Sequence, residues 1–579
     1  MMTNMNVKLL PVGISDFKQV RRQNRYLVDK SMYIPKIERV SNFLFLIRPR
    51  RFGKSLFLSM LRSYYDMSER DQFRQWFDGL WIAEHPTAEQ GQYQVLYLDF
   101  SRVGGDLNNL EQRFLSYWSL MLDFFAERYA PFYPDGYEQE LKALATAQEK
   151  MDYIDQRAKK HGARLYLIID EYDNFTNNVL NEHGEQVYHS LTHATGFFRN
   201  VFKMFKGTFE RILMMGVSPV TLDDLTSGYN IATNITTNPW FNQMLGLSET
   251  DVRSMIHYYQ QCGMIAADAE EGIMAEMKPW YDNYCFAESA LDTDPKMFNC
   301  DMVVYYLNHL MNFGKAPKQM VDPNTRTDYG KMKRIVQLDK LDGNRRSLLH
   351  QIVQDGGITA EVEDSFPAEK LYDSSKFVSL LFYYGMLTMS GMHRGKLRLS
   401  IPNNNVRQQY YQYLMEEYES IRPIDVQRLN EVYGDAAYDG NWRTMMEFIC
   451  KAYKESTSIR SLIEGERNIQ GFMNAYLTLC SYYLTAPEVE LNHGYCDFFL
   501  LPDTVRYPDI EHSYIIELKY LKKESTADEA ARQWNEAVTQ IRGYGQGERV
   551  RVLRQHTQLH LVIVQMRGYD VERMEEIAQ

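Results

Sequence analysis

Apolar runs that end abruptly in polar or charged residues recur through the first half of the chain. Such runs predict strands that are covered on both faces, as in a parallel sheet. They lie at residues 43–47, 94–100, 165–169 and 211–219. The residues between them, at 56–61 and through most of 110–160, read as helices. Strands that alternate with helices predict an α/β fold.

The middle of the chain turns helical from about residue 249, which predicts a small helical lid beside the sheet. A helix at 376–383 then precedes two short strands at 386–390 and 396–401, joined by residues 391–395. A helix followed by a hairpin resembles a winged-helix module. The basic turn of such a module would touch DNA or contact a partner protein. Residues 422–458 are helical and polar, and we interpret them as a connector.

The last part of the chain again contains strands and helices. Strands are predicted at 494–502, 513–521 and 559–564, and helices at 468–479 and 533–544. Because side chains alternate along a strand, Glu517 and Lys519 share one face. Asp497 can lie across from them on the neighbouring strand of an antiparallel hairpin. An otherwise apolar strand pair therefore carries three charged side chains at inward positions.

Length and composition narrow the class of protein. At 579 residues the chain is too long for one core, so we expect two to four domains. No apolar run approaches the roughly 20 residues of a membrane span, and the N-terminus lacks the apolar core of a signal peptide. The six cysteines are scattered, which argues against a zinc site and a disulfide framework. We expect a cytoplasmic protein with no membrane partner. Its net charge of −12 confines any nucleic-acid surface to a local patch.

The residues after the first strand are candidates for phosphate binding. They read Arg-Pro-Arg-Arg-Phe-Gly-Lys-Ser over positions 48–55. Strand, loop, Gly-Lys-Ser and helix in this order is the arrangement of P-loop NTPases. Gly53 and the backbone N–H groups beside it would approach the phosphates of ATP. Lys54 would reach the β- and γ-phosphates, and the Ser55 hydroxyl would hold Mg²⁺.

The loop departs from the P-loop consensus at one position. The consensus has a glycine where this chain has Arg48, and Gly53 is the only glycine in the loop. Arg48, Arg50 and Arg51 would compensate by facing phosphate. They would alternatively face solvent or nucleic acid.

Polar residues at the ends of later strands are further candidates. Asp170 and Glu171 follow the strand at 165–169, at the sheet edge where ligands bind in open α/β folds. Asp170 would coordinate Mg²⁺ through water, and Glu171 would orient or deprotonate the attacking water. The alternative is a solvated loop. Ser218 would sense the γ-phosphate or simply end its strand. In a homo-oligomer, Arg199 and Arg211 would serve a neighbouring subunit.

The charged residues of the C-terminal strand pair predict a second centre. Burying two carboxylates and an ammonium is costly unless they are paired or hold a metal. Asp497 and Glu517 suit Mg²⁺, which can activate water and steady a scissile phosphate, while Lys519 positions the nucleophile. The alternative is an exposed face that carries an ordinary Glu–Lys pair.

These motifs resemble two known families. The N-terminal half resembles the AAA-ATPase-like family of bacterial proteins at residues 11–17, 28–31, 48–55, 170–173 and 216–219. In that family the arginine-rich loop is usual, so Arg48 is a family trait. The C-terminal end resembles the PD-(D/E)XK nuclease domain often fused to it, with a restriction-endonuclease-like core. The resemblance implies metal-binding and catalytic roles for Asp497, Glu517 and Lys519, and supporting roles for Gln540 and Glu466.

We therefore expect four domains. They are an AAA-ATPase-like P-loop domain (1–245), a helical lid (246–345), a winged-helix-like segment with a helical connector (346–457) and a nuclease-like domain (458–579). The leading hypothesis is a protein that binds and hydrolyses ATP and thereby controls a Mg²⁺-dependent nuclease acting on DNA. One rival is an ATP-gated switch with an inert nuclease-like domain that binds a partner protein or nucleic acid. Another is a nucleotide-binding scaffold without turnover.

Overall fold

The computed structural model describes residues 7–103, 109–174, 197–219, 232–293, 296–317, 319–322, 344–364, 366, 374–421, 425–455, 466–477, 479–491, 494–504 and 506–578. The chain divides into two compact units. The first contains Met1–Arg346 and Gly357–Asn405, and the second contains Ser347–Gly356 and Val406–Gln579. The segment 346–457 is therefore divided between the two units.

The strands and helices of both units follow in chain order. The strands are β1 (Phe43–Ile47), β2 (Tyr93–Asp99), β3 (Arg164–Asp170), β4 (Arg211–Gly216), β5 (Thr233–Asn234), β6 (Gly357–Thr359), β7 (Thr388–His393), β8 (Lys396–Ser400), β9 (Tyr483–Leu491), β10 (Gly494–Pro502), β11 (His512–Leu521), β12 (Gln558–Arg567) and β13 (Asp570–Glu576). The helices are α1 (Phe17–Arg22), α2 (Ile34–Val40), α3 (Lys54–Tyr65), α4 (Phe73–Phe77), α5 (Trp81–Glu84), α6 (Leu110–Tyr129), α7 (Tyr137–Lys142), α8 (Ala147–His161), α9 (Phe197–Thr208), α10 (Glu249–Gln261), α11 (Glu270–Tyr281), α12 (Cys300–Phe313), α13 (Asn344–Asp355), α14 (Ser374–Tyr383), α15 (Asn404–Ile421), α16 (Val426–Asp439), α17 (Trp442–Glu455), α18 (Glu466–Leu477), α19 (Ala527–Gly545) and α20 (Glu548–Leu553).

The first unit is built on a parallel sheet with the strand order β2-β3-β4-β1-β5. The register pairs Ile47 of β1 with Gly216 of β4, and Asp99 of β2 with Asp170 of β3. The carboxyl ends of these strands therefore meet at one edge, as the sequence predicts. Helix α3 buries Phe57, Leu61 and other apolar side chains and packs back against β2 and β3.

The first unit also contains a small antiparallel sheet with the order β6-β8-β7, in which β7 and β8 follow α14. The sequence predicts a five-residue connection over 391–395, but β7 continues to His393. Only Arg394 and Gly395 separate the strands, with φ angles of 51° and 76°. A two-residue turn with both φ angles positive matches the twist of a hairpin.

The second unit contains a mixed sheet with the order β13-β12-β11-β10-β9. Strands β11 and β12 are parallel, and their crossover includes α19, which buries Trp534, Ala537 and Ile541 against Phe499 and Ile515. The predicted strands β10, β11 and β12 are confirmed, with small shifts at the ends of β11 and β12, whereas β9 and β13 were not predicted. No helix among the described residues has the length and apolar character that crossing a membrane requires.

Candidate functional site

The loop between β1 and α3 places Lys54 at the carboxyl edge of the parallel sheet. Gly53 precedes the helix with a φ of 86°, a left-handed conformation that glycine adopts without steric cost. The Lys54 ammonium is buried and donates to the carbonyl oxygens of Arg48 at 3.0 Å and Pro49 at 2.9 Å. Burial lowers the pKa of Lys54, and the nearby carboxylate of Asp170 opposes that shift.

Ser55 and Asp170 meet beside Lys54. The Asp170 carboxylate accepts from the Tyr97 hydroxyl at 3.1 Å and from the Glu171 amide at 3.0 Å. Burial raises the pKa of Asp170, although Ser55, Lys54 and Tyr97 favour its ionised form. A hydroxyl and a carboxylate side by side are the oxygen ligands that suit Mg²⁺ next to a phosphate. The Tyr97 contact was not predicted, because only the register of β2 and β3 reveals it.

Glu171 follows Asp170 with a φ of 50°, in the left-handed region that residues other than glycine seldom adopt. Burial raises the pKa of Glu171, and the positive charge of Arg50 opposes the rise. A carboxylate whose pKa is raised toward neutrality is better suited to accept a proton. Arg50 is therefore the arginine of the loop whose charge acts on the predicted catalytic carboxylate.

Arg48 has a different environment from the predicted one. Its side chain is fully buried, and its terminal nitrogens donate to the carbonyl oxygens of Ile47 at 3.0 Å, Thr236 at 2.8 Å and Phe241 at 2.9 Å. The guanidinium also lies 4.2 Å from the ring centre of Phe286. These contacts direct Arg48 into the protein and away from a phosphate ligand, so its place at the start of the loop is structural.

Two other predicted arginines also have partners within the chain. Arg51, with a φ of 69°, forms an ion pair with Asp301 at 2.5 Å and lies 3.9 Å from Asp322. Arg211 is buried at the first residue of β4, where it donates to the Tyr93 hydroxyl at 3.1 Å. Arg211 therefore lies at the opposite end of β4 from the carboxyl edge of the sheet.

Ser218 lies in a buried junction at the end of β4. The Asp173 carboxylate accepts from the amide of Ser218 at 2.7 Å and from that of Val217 at 3.2 Å. The Tyr172 hydroxyl donates to the Ser218 carbonyl at 2.7 Å. At Gly216 an added Cβ would lie 2.4 Å from an Asp173 carboxylate oxygen, so only glycine fits. This junction holds the ends of β3 and β4 together next to Glu171 and Asp170.

An apolar cavity of about 120 Å³ adjoins Gly53 at the start of α3. Its walls come from the N-terminal segment, from α3 and from the lid, and include Pro11, Tyr26, Met244 and Cys300. The planar, weakly polar base of a nucleotide suits such a cavity. The N-terminal segment thus lies where a base would be enclosed.

The loop at residues 48–53 also packs against Tyr284 and Phe286, which follow α11, and against Gly385, which follows α14. The Phe52 ring centre lies 5.0 Å from that of Tyr284 and 5.5 Å from that of Phe286. At Gly385, just after α14, an added Cβ would come within 2.8 Å of Pro49. Tyr284 and Phe286, which follow α11, therefore form part of the wall around this loop.

In the second unit the strand register brings the predicted carboxylates together. Phe498 of β10 pairs with Ile516 of β11, and this register, continued by one residue, sets Asp497 opposite Glu517. Residues that lie opposite each other in an antiparallel pair share a face. The Asp497 carboxylate accepts from the amide of Leu518 at 2.6 Å, so this side chain reaches the backbone of the neighbouring strand.

Glu517 and Lys519 also meet as predicted. Glu517 is 3% exposed, and its carboxylate accepts from the Lys519 ammonium at 2.8 Å. The alternative interpretation, an ordinary Glu–Lys pair on an exposed face, is therefore wrong, because both side chains are mostly buried. Burial and the negative charges of Glu517 and Asp497 raise the pKa of Tyr544 to about 12.

The predicted supporting residues have different positions. Gln540 is exposed on α19. Gln533 of the same helix donates to the Tyr520 carbonyl at 3.1 Å and accepts from the Gln565 amide at 3.0 Å. Glu466 is the first residue of α18, and its side chain lies outside the described residues. From that helix it is Gln470 whose amide donates to Asp497, a contact that the sequence did not suggest.

The oxygen ligands of both centres fit Mg²⁺ in the same way. This ion is commonly held by one or two carboxylates and completes its shell with water and substrate phosphates. Ser55 with Asp170, and Asp497 with Glu517, provide that number of ligands. Within the described part of the chain, no three His, Cys, Asp or Glu side chains form a complete metal cage. Each centre would therefore rely on water and substrate for its remaining ligands.

Comparison with known proteins identifies two domains. Residues 11–226 match the family model described as AAA-ATPase_like, predicted AAA-ATPase, and residues 464–576 match the PD-(D/E)XK nuclease superfamily. The chain therefore contains an AAA-ATPase-like domain and a nuclease-superfamily domain, as the motifs predict. An uncharacterized protein from the vnfD 5' region of Azotobacter chroococcum mcd 1 is 26% identical over 307 residues, which cover 50% of this chain and 50% of that protein. The match thus spans about half the length of this relative.

Two solved structures from Aeropyrum pernix are also similar to parts of this chain. The ORC1 protein in complex with DNA is 11% identical, with 68% of this chain and 92% of that chain covered and a TM-score of 0.26. The ORC2 protein in ADPNP–ADP complexes is 10% identical, with 67% and 93% covered and a TM-score of 0.31. At these scores the similarity carries no argument about ligands.

Proposed function

We propose that this protein binds and hydrolyses ATP with Mg²⁺ and that its nucleotide state controls a Mg²⁺-dependent nuclease acting on DNA. One observation carries the nucleotide half of this proposal: the buried Lys54 ammonium and the buried Asp170 carboxylate lie at the same edge of the parallel sheet, next to Ser55. An AAA-ATPase-like domain over residues 11–226 supports the same function.

The roles of the nucleotide centre follow from its contacts. Lys54 exchanges its two carbonyl partners for the β- and γ-phosphates, which supply stronger, charged acceptors. Ser55 and Asp170 would hold Mg²⁺, which would neutralise charge on the phosphates. Glu171 orients and deprotonates the attacking water, and Arg50 steadies the charge that develops. The apolar cavity beside Gly53 encloses the base.

Phosphate release from ATP tests this half. Lys54→Ala removes the only ammonium of the loop, and we expect at least a 100-fold loss of phosphate release together with weaker binding of a fluorescent ATP analogue. Lys142→Ala, which removes an exposed lysine ion-paired with Glu127 and Glu138, is the matched control. Normal phosphate release by the Lys54→Ala protein would refute the proposed nucleotide site. If wild type binds the ATP analogue but releases no phosphate from ATP, the remaining hypothesis is a nucleotide-binding scaffold without turnover.

The nuclease half depends on the charged face of β10 and β11. Asp497 and Glu517 hold Mg²⁺, which would polarise the scissile phosphate and activate water. Lys519 is held by Glu517 at 2.8 Å and, from there, orients the nucleophile. The observation that carries this half is the placement of Asp497 opposite Glu517 on one face of a sheet in the nuclease-superfamily domain.

Packing around the phosphate loop supports control by nucleotide. Phe52 and Pro49 touch the lid and the winged segment, so a loop that opens for phosphate would displace Tyr284 and Gly385. Interiors transmit such shifts because they are closely packed. We propose that this displacement is the first step by which ATP regulates cleavage.

Cleavage of labelled single- and double-stranded DNA and RNA, with and without ATP and Mg²⁺, tests the nuclease half. Glu517→Ala should abolish DNA cleavage while phosphate release continues. Glu524→Ala, at an exposed position of the same unit, should retain both activities. Cleavage that survives both Glu517→Ala and Asp497→Ala would exclude this centre, and RNA cleavage alone would correct the substrate.

A second function has a specific observation in its favour. Both oxygens of Asp497 already accept hydrogen bonds from the chain, and Glu517 is tied to Lys519. An inert domain that binds nucleic acid or a partner protein under ATP control is compatible with such internal pairing. Failure of the wild-type protein to bind Mg²⁺ or Mn²⁺ without nucleotide would favour this switch over the nuclease.

A further inference from the structure

Asp497 is held by the chain on both of its oxygens. Oδ1 accepts from the side-chain amide of Gln470, and Oδ2 accepts from the backbone amide of Leu518 at 2.6 Å. An ionised carboxylate offers about four lone-pair sites. The contacts with Gln470 and Leu518 therefore fix the direction of both carboxylate oxygens of Asp497.

The helix that supplies Gln470 is firmly anchored. In α18, Phe472 is 1% exposed and Met473 is fully buried, and the Phe472 ring centre lies 5.2 Å from that of Tyr453 in α17. The Tyr433 hydroxyl of α16 donates to the carbonyl oxygen of Tyr476. Gln470 is therefore presented to Asp497 from a rigid element, and such support is what holds a ligand in a productive orientation.

The chemistry of the amide also matters. Gln470 contributes a neutral donor where a glutamate would bring a third negative charge against Asp497. A neutral donor stabilises the ionised carboxylate and leaves its charge for a cation. The structure thus pairs the charged ligand with a donor that orients it and does not compete for the metal.

We propose that Gln470 is a positioning residue that orients Asp497 for binding one divalent cation together with Glu517. The inference rests on the proposed nuclease function and assigns to α18 a role in metal affinity. Gln470 touches neither substrate nor metal in this role. It acts only through Asp497.

Titration calorimetry with Mn²⁺ on the full-length protein, without nucleotide, tests this role. Gln470→Ala should weaken Mn²⁺ binding by about 10- to 100-fold, the usual effect of removing a residue that orients a metal ligand. Gln533→Ala removes another amide of the same unit, one that bonds the Tyr520 carbonyl. We expect that control to lower thermal stability while leaving Mn²⁺ affinity within about threefold of wild type.

Gln470→Glu covers the case in which the alanine variant fails to fold, because it keeps the length and packing of the side chain. It replaces the donor by a like charge, so the metal-free protein should melt at a lower temperature and Mn²⁺ should raise its melting temperature more than that of wild type. The role of Gln470 alone would be overturned if Gln470→Ala bound Mn²⁺ within threefold of the wild-type affinity. It would also be overturned if Mn²⁺ raised the melting temperature of Gln470→Glu by the same amount as that of wild type. No Mn²⁺ binding by wild type would overturn the nuclease proposal itself.

Discussion

The two centres manage buried charge in opposite ways. At the carboxyl edge of the parallel sheet, carbonyl oxygens of the chain bind the cations. Lys54 donates to two carbonyls of its own loop, and Arg48 donates to the carbonyls of Ile47, Thr236 and Phe241. On the β10–β11 face the anion Asp497 is held instead, by Gln470 and Leu518. We therefore expect Lys54 to bind the phosphates of ATP and Asp497 to bind a cation.

The difference predicts how much each centre must rearrange. Lys54 has to exchange its carbonyl partners when phosphate arrives, and the loop that contains it touches the lid and the winged segment. Asp497 can gain a cation while keeping both of its hydrogen bonds. We therefore expect a conformational change around Lys54 when nucleotide binds, and little change around Asp497 when a cation binds. Control of cleavage by ATP requires that the nucleotide centre is the one that moves.

The contrast between two arginines of the loop gives the largest expected effect on stability. Arg48→Ala would leave buried carbonyls of Ile47, Thr236 and Phe241 without their donors, and we expect a loss of about 4 kcal/mol in unfolding free energy. Arg51→Ala removes a partly exposed ion pair with Asp301 and should cost below about 1 kcal/mol. Urea denaturation of both variants measures the difference. Equal effects would contradict the structural role of Arg48.

A carboxylate of the lid provides a smaller, pH-dependent test. Asp282 is 5% exposed, and among the described residues its Oδ1 has no hydrogen-bond partner, in contrast with Asp497. Burial raises the pKa of Asp282 to about 6. Because the folded-state pKa lies above the unfolded value, the stabilisation is present below about pH 4 and is lost as pH rises through about 6.

The measurement is the melting temperature at pH 5 and pH 8. In wild type, ionisation of Asp282 should lower the free energy of unfolding by an amount on the order of 2 kcal/mol as pH rises. Asp282→Asn should remove this loss, so the variant should be more stable than wild type at pH 8. Asp268→Asn, at an exposed position of the same unit, should leave the difference between the two pH values unchanged. If Asp282→Asn shows the same pH dependence as wild type, titration of the buried Asp282 carboxylate does not cause that dependence.

Much of the fold was predictable because its signals are local. Continuous apolar runs predicted β1, β3 and β4, and alternation on β11 predicted the contact of Glu517 with Lys519. Strand β13 was not predicted because Asp570–Glu576 is mostly charged and buries only Met574. An edge strand with one buried side chain has almost no periodic signal.

The contacts that shape the two centres were less accessible to sequence reasoning. The carbonyl partners of Arg48 at Thr236 and Phe241 are 188 and 193 residues away in the chain. Gln470 reaches Asp497 across 27 residues and from a helix to a strand. Neither spacing has a pattern in one sequence, so residue type alone suggested that Arg48 would face phosphate and gave no reason to select Gln470.

Counting bound Mn²⁺ by electron paramagnetic resonance tests the central claim, that the chain has two separate centres for a divalent cation. Wild type should bind one Mn²⁺ without nucleotide and a second with a non-hydrolysable ATP analogue. Glu517→Gln should lose only the first, and Lys54→Ala only the second. Nucleotide-free binding that persists in Glu517→Gln, or a single substitution that removes both ions, would contradict the account.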